Sequence, residues 1–365
     1  MKKNSGPRPN PGIMQITPYK QGAWKLKGKQ KIIKLSSNET PLGPSPKAVQ
    51  AYLQEVKTLS HYNDGTSAEL RQTIAKIRGL EPEKIVCGAG SDELIALIIQ
   101  AYAGLGDEVL YSEHGFLMYP ISALKVGAVP VTAKEKNLRA DPAAILNSVT
   151  KKTKIIFLAN PNNPTGSYLT AAELRNLRKK LPAEILLVID AAYAEYADAK
   201  DYGDGLELAE TTNNTIVLNT FSKIYGLAAL RLGWSYSCPE IADVLNRVRG
   251  PFNVSAPAQA AGAAAIADVK FTAKAKAHNK KWLPWLAGKL AGIGIKTYPS
   301  AGNFLLVEFP GTRGKTATAA DEYLKENGII VRRMEAYSLP KCLRITIGMA
   351  AENQAVFKTL TKFMK

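Results

Sequence analysis

Three stretches leave this chain little choice of architecture: Lys154-Ile155-Ile156-Phe157-Leu158, Ile185-Leu186-Leu187-Val188-Ile189 and Ile216-Val217-Leu218. They lack the alternation of a strand with one face in water, so each must be covered on both faces. Residues 174–180 read as a helix between the first two, and shorter strand signals precede them at residues 85–87, 108–111 and 128–131. The expected fold class is therefore α/β, a mainly parallel sheet with helices on both faces. Ligands in such sheets sit beyond the carboxyl ends of the strands. The polar segments follow those ends: residues 160–166 after one strand, Asp190-Ala191-Ala192-Tyr193 after the next, and Lys223 after the third.

A chain of 365 residues typically forms about two domains. The expected division is an N-terminal arm over residues 1–35 that joins a small domain, a large domain over 36–255, and a small α+β domain over 256–365. Pro7, Pro9, Pro11 and Pro18 disfavour regular structure in the arm, and residues 19–22 read as a turn. Pro46 suits the first turn of a helix, and Ser67 starts another. Residues 252–267 are small and alanine-rich, and a basic helix follows over about 273–291, with Pro284 inside it. Strands at residues 303–309, 328–332 and 342–347 and a closing helix complete the small domain.

The net charge of +17 admits nucleic acid, a membrane surface or acidic small molecules as partners. The lysines are dispersed, however, and no aromatic-interleaved or zinc-finger pattern accompanies them, so neither nucleic acid nor membrane is expected as a partner. Cys87, Cys238 and Cys342 are odd in number and far apart, which argues against a disulfide framework. They show no metal-ligand spacing with His61, His114 or His278, so no metal is expected. The proline-rich start has no apolar signal segment, and a cytoplasmic protein is expected.

The chemistry gathers around Asn219-Thr220-Phe221-Ser222-Lys223-Ile224-Tyr225-Gly226, with Arg231 eight positions after the lysine. An amine between hydroxyls, beside a guanidinium, suits an aldehyde cofactor that carries a phosphate. The lysine forms a Schiff base, and Thr220, Ser222 and Arg231 hold the dianion. Gly88-Ala89-Gly90-Ser91-Asp92 turns from a strand into a helix and exposes backbone N–H groups at the positive end of the helix dipole. A tight strand-to-helix turn would explain the same glycines. Asp190 ends an apolar strand and needs a cationic or hydrogen-bonding partner. A protonated pyridine nitrogen is one; a helix cap is the plainer alternative. Tyr193 and Asn163 can donate to a phenolate oxygen and Phe116 can stack on a ring, though Tyr193 and Phe116 also suit a core and Asn163 a turn.

As an ordered set these segments resemble the fold-type-I pyridoxal-phosphate aminotransferases, most closely the histidinol-phosphate aminotransferase family. The resemblance spans nearly the whole chain, from Thr17-Pro18-Tyr19 and Ser37-Asn38-Glu39-Thr40-Pro41 through Asn162-Asn163-Pro164-Thr165-Gly166 and Thr220-Phe221-Ser222-Lys223 to Leu343-Arg344-Ile345. It implies pyridoxal 5′-phosphate as cofactor and Lys223 as the residue that bonds to it and then moves the proton. Asp190 pairs with the pyridine nitrogen, Tyr193 and Asn163 with the phenolic oxygen, and Phe116 stacks on the ring. Gly90, Ser91, Asp92, Thr220, Ser222 and Arg231 seat the phosphate, with Tyr62 reaching it from the second subunit of a homodimer. Tyr19, Asn38, Arg332 and Arg344 form the substrate pocket. Ala89 and Ala191 depart from the family pattern at positions that supply no catalytic group. The Glu113-His114-Gly115-Phe116 segment departs from the Pro-Thr-Phe or Pro-Thr-Tyr form of the family, and His114 either reshapes the pocket or is structural.

The implied reaction converts histidinol phosphate and 2-oxoglutarate to imidazole-acetol phosphate and glutamate, in histidine biosynthesis. Two arginines suit both a dicarboxylate and a phosphate ester. An aromatic-amino-acid aminotransferase and a threonine-phosphate decarboxylase are rivals on the same scaffold, and a nucleic-acid-binding regulator is the rival from another class.

Overall fold

A computed structural model describes residues 6–18, 25–26, 28–29, 31–312 and 314–365. The expectations for Tyr19 and for a turn at residues 19–22 fall outside the described residues.

The central sheet has seven strands: β1 (Ile85–Gly88), β2 (Glu108–Ser112), β3 (Val129–Ala133), β4 (Thr153–Ala159), β5 (Leu186–Asp190), β6 (Thr215–Thr220) and β7 (Gly233–Tyr236). Their order is β1-β7-β6-β5-β4-β2-β3. All neighbours run parallel except β7, which is antiparallel to both β1 and β6. The apolar runs are buried on both faces as their composition demands. Ile156, Leu158, Leu187, Ile189 and Val217 enter one core. Their chain neighbours Ile155, Phe157, Leu186, Val188, Ile216 and Leu218 enter the other. The period of two along each strand sorts them.

Helix Ser91–Tyr102 covers the second face with Leu94, Ile95, Ile98 and Ile99. Helices Ala68–Arg78 and Ala171–Lys180 cover the first. Pro46 opens helix Pro46–Gln54, where the Ser45 side chain accepts a hydrogen bond from the Ala48 N–H.

A four-stranded antiparallel sheet forms the second body, in the order Lys296–Thr297, Phe304–Glu308, Cys342–Thr346, Arg332–Arg333. Its core includes Leu286, Leu290, Leu305, Leu343 and Ile345. The strand expected over residues 328–332 is two: Ile329–Ile330 pairs in parallel with Ile33–Lys34, and Arg332–Arg333 pairs with Cys342–Thr346. The chain changes partner at Val331.

Helix Ala256–Ala267 buries Ala258, Ala261 and Ala265 in the first core, not in that of the small sheet. Its small residues admit close neighbours: a Cβ on Gly262 would lie 2.3 Å from Leu232. The next helix, Val269–Ala291, contains Pro284 and spans both bodies, with Ala275 in the first core and Leu286 and Leu290 in the third. The exchange between cores therefore falls within this helix, later than the expected division after residue 255. No described helix is long and apolar enough to cross a membrane.

Candidate functional site

The site lies at the carboxyl edge of the central sheet. β1, β4, β5 and β6 end there and lead into Gly90, Asn163, Tyr193 and Lys223, while β5 ends in Asp190 itself. Because β7 runs the opposite way, its start falls on the same edge and brings Arg231, two residues earlier, into the group. A cavity of about 170 Å³ is lined by Ser91, Asp92, Phe116, Asn163, Asp190, Tyr193, Thr220, Ser222, Lys223 and Arg231. Ten of the residues expected from sequence thus share one cavity.

One end is a cradle for an anion. Gly90 caps helix Ser91–Tyr102 with no side-chain hydrogen bond, which leaves its first N–H groups to a ligand. Its φ of +87° favours glycine, and a Cβ there would lie 2.5 Å from the Arg231 guanidinium. Arg231 Nη1 donates to Ser222 Oγ (3.2 Å) and Ala228 O (3.0 Å), and Nη2 donates to Asp92 Oδ2 (3.2 Å). The Ser222 N–H donates to Thr220 Oγ1 at 3.1 Å, which fixes the turn before Lys223.

Gly233 holds the two halves of this cradle together, facing Gly88 across one ladder and Thr220 across the other. A Cβ there would lie 2.6 Å from Ser91 N, 2.8 Å from Gly90 C and 2.9 Å from Asn219 O. These are backbone atoms, which cannot swing aside. Replacing Gly233 with alanine is therefore expected to destabilise the protein by about 1–3 kcal/mol, as overpacking does. It should also weaken binding of a phosphate-bearing ligand. Urea denaturation and a ligand titration of the same variant check both.

Asp190 forms the floor. Its Oδ2 accepts from the Tyr119 hydroxyl at 2.8 Å and its Oδ1 from the Ala192 N–H at 3.2 Å. Burial pushes the carboxyl up to about 6, against those two hydrogen bonds. Tyr119, which sequence reasoning missed, is fully buried, and burial beside Asp190 holds its hydroxyl well above the usual phenol range.

Lys223 Nζ donates to Ser37 O at 3.3 Å and lies 5.5 Å from the centroid of the Tyr193 ring. Asn38 is only 1 % exposed, in the left-handed conformation (φ +56°). Its Nδ2 donates to Tyr193 Oη at 2.8 Å, and its Oδ1 accepts from Thr346 Oγ1 at 3.1 Å. The residue expected in the substrate pocket thus braces Tyr193. Arg344 Nη1 donates to Asn163 Oδ1, and its Nη2 donates to Ser36 O at 2.7 Å. Arg332 lies directly opposite Arg344 on the adjacent strand. Opposed residues of an antiparallel pair project from one face, so the two guanidinium groups share a side of the small sheet.

Tyr62 does not line this cavity; it is 85 % exposed and stacks on Phe252 at 4.6 Å. His114 is buried, with Nδ1 2.8 Å from Glu135 Oε2 and its carbonyl accepting from Asn162 Nδ2 at 3.3 Å. It ties the turn before Phe116 to the next hairpin, a structural use. Glu93 was also missed: its carboxylate accepts from the Ala89 N–H (2.6 Å) and Asn253 Nδ2 (2.7 Å) and so secures the glycine turn.

An anion cradle without room for a Cβ, a buried carboxylate opposite it and a primary amine beside two phenol- and amide-bearing side chains fit a phosphorylated pyridine aldehyde.

Comparison with known proteins agrees. The family model for aminotransferase class I and II matches residues 30–360. A histidinol-phosphate aminotransferase of Paramagnetospirillum magneticum is 55 % identical over 361 residues, covering 99 % of each chain. One from Nitrobacter hamburgensis is 48 % identical, again covering 99 % of each. Among solved structures, the histidinol-phosphate aminotransferase of Sinorhizobium meliloti in complex with pyridoxal-5′-phosphate superposes with a TM-score of 0.86 at 29 % identity, covering 92 % of this chain and 91 % of the other.

Proposed function

Because this chain belongs to the class I and II aminotransferases, we propose that it transfers the amino group of histidinol phosphate to 2-oxoglutarate, a step of histidine biosynthesis, with pyridoxal 5′-phosphate as cofactor. The observation that carries the reading is Lys223, Asp190, Tyr193 and Arg231 converging on one cavity. The full-length relatives supply the substrate.

When bound, pyridoxal 5′-phosphate supplies the aldehyde that takes up the amino group and the ring that accepts the electron pair freed at the substrate carbon. Lys223 Nζ would hold the cofactor covalently and, as a free amine, would carry the proton at the substrate Cα. The carboxylate of Asp190 keeps a proton on the pyridine nitrogen. Tyr193 Oη accepts its hydrogen bond from Asn38, so its own proton is available to the phenolic oxygen. Arg344 engages the Oδ1 of Asn163, which leaves the Nδ2 donors for the same oxygen. Ser91, Ser222, Arg231 and the uncapped helix terminus bind the phosphate, beside Gly90, Asp92 and Thr220, and Phe116 stacks on the ring. Arg344 and Arg332 receive glutamate's carboxylates in one half-reaction and the phosphate ester of histidinol phosphate in the other.

The reading includes a homodimer in which Tyr62 reaches the phosphate of the partner subunit. Val49, Tyr52, Leu53, Val56 and Leu59 are all at least 39 % exposed just before Tyr62. Such an apolar patch suits a subunit interface.

The test compares amino donors on the purified holoenzyme. Histidinol phosphate is expected to exceed phenylalanine in kcat/KM by about a hundredfold, the net size of one hydrogen bond to a charged group. Equal values would transfer the assignment to an aromatic-amino-acid aminotransferase. Carbon dioxide release without need of an oxo acid would transfer it to a decarboxylase.

A further inference from the structure

We propose that Tyr119 is a positioning residue for Asp190: its hydroxyl fixes the carboxylate in place and keeps it an anion that leaves the proton on the cofactor's ring nitrogen. The inference rests on the proposed function and adds a residue to it.

The segment from Phe116 to Tyr119 makes one helical turn, with the Tyr119 N–H donating to Phe116 O at 3.0 Å. Positions three apart share a helix face. One turn therefore presents Phe116 to the cavity and Tyr119 to the floor beneath it, their rings edge to face at 5.9 Å and 88°. Tyr119 also stacks on Phe157 at 4.6 Å and 17° and meets the edge of Tyr111 at 6.1 Å. A fully buried ring held on three sides cannot swing its hydroxyl elsewhere.

Asp190 accepts hydrogen bonds from two groups, and they differ in what they can do. The Ala192 N–H reaches Oδ1 from the carboxylate's own turn, whereas Tyr119 reaches Oδ2 from helix Met118–Lys125, packed on the same face of the sheet. Only the second fixes the plane of the group relative to the cavity. Lys223 and Asp92 also face this carboxyl, Lys223 favouring its anion and Asp92 opposing it, while Tyr193 and Tyr337 lie near Tyr119. Burial, the largest influence, favours the neutral acid. A neutral Asp190 cannot hold a proton on the ring nitrogen by charge. Hydrogen bonding to a carboxylate lowers its basicity, so the Tyr119 hydroxyl moves the shared proton from Asp190 toward the ring.

The test loads parent, Tyr119→Phe, Asp190→Asn and the double variant with 15N-labelled pyridoxal 5′-phosphate. The readouts are the ring nitrogen's chemical shift and the cofactor dissociation constant. Tyr119→Phe removes one oxygen and keeps the ring stack, so the fold is retained. The expected result is a nitrogen shift toward the unprotonated value and a dissociation constant about tenfold higher, the range for a hydrogen bond to a charged group. With Asp190 already asparagine, the same substitution should change neither quantity. An unchanged nitrogen shift in Tyr119→Phe, or an equal loss of affinity in the asparagine background, would overturn the proposal and leave Tyr119 a packing residue. A parent protein that takes up no cofactor overturns the functional reading together with this one.

Discussion

Replacing Lys223 with alanine is expected to lower turnover by about 10⁴-fold or more, because the proposed function makes one amine both covalent anchor and proton carrier. The protein should stay folded. The Lys223 side chain is only partly buried and donates a hydrogen bond to the Ser37 carbonyl at 3.3 Å, so its loss strands no buried charge. The proposed phosphate cradle of Gly90, Ser91, Ser222 and Arg231 is untouched, and the variant should still bind pyridoxal 5′-phosphate without a covalent bond. Borohydride reduction followed by mass spectrometry separates the cases. The parent should gain the mass of the reduced cofactor on the peptide containing Lys223, and the variant should gain none. Labelling of another lysine, or substantial turnover by the variant, would remove Lys223 from its assigned role.

Asp190→Asn is expected to be nearly as damaging to activity and, in the cofactor-free protein, stabilising. Asparagine cannot hold a proton on the ring nitrogen by charge, and a loss on the order of 10³-fold in turnover follows from removing such preorganised electrostatics. The stability effect has the opposite sign. Burial raises the Asp190 carboxyl from 3.8 to about 6 in the folded protein. Folding therefore favours the neutral acid: its relative stability is complete below pH 3.8 and is lost as pH rises through about 6. Above that range the cofactor-free protein carries a buried anion at a cost of about 3 kcal/mol, a cost that the neutral amide avoids. The stability gain of Asp190→Asn should thus be clear in urea denaturation at pH 8 and vanish near pH 4. An equal gain at both values would show that ionisation is not its source.

Much of the fold was legible because the central strands announce themselves. Ile155 to Leu158, Leu186 to Ile189 and Ile216 to Leu218 are apolar at successive positions, which only double-sided burial explains. The residues at their carboxyl ends were readable for the same reason. β7 was not read. It has four residues, begins at a glycine and carries a serine between Trp234 and Tyr236, although that alternation of large aromatics was a usable signal. Helix Ala256–Ala267 was assigned to the wrong core because alanine and glycine show no apolar face; their contribution is closeness of approach. The contacts of Asn38 with Tyr193 and of Tyr119 with Asp190 join residues 155 and 71 positions apart. Nothing local marks such pairs. The position of Tyr119 three residues after Phe116 could have suggested a shared face, but not its partner.

The place of β7 between β1 and β6 also has a consequence for synthesis of the chain. β1 lies at the edge of the sheet and pairs only with β7, while β7 needs β6 on its other side. As the chain leaves the ribosome, Gly88 and the glycine turn after it therefore have no ladder to join until Gly233 has been made. Contacts this distant in sequence are slow to close. This end of the site is thus completed when β7 inserts between two strands synthesised before it, and a nascent chain becomes competent for its cofactor only when the central sheet closes.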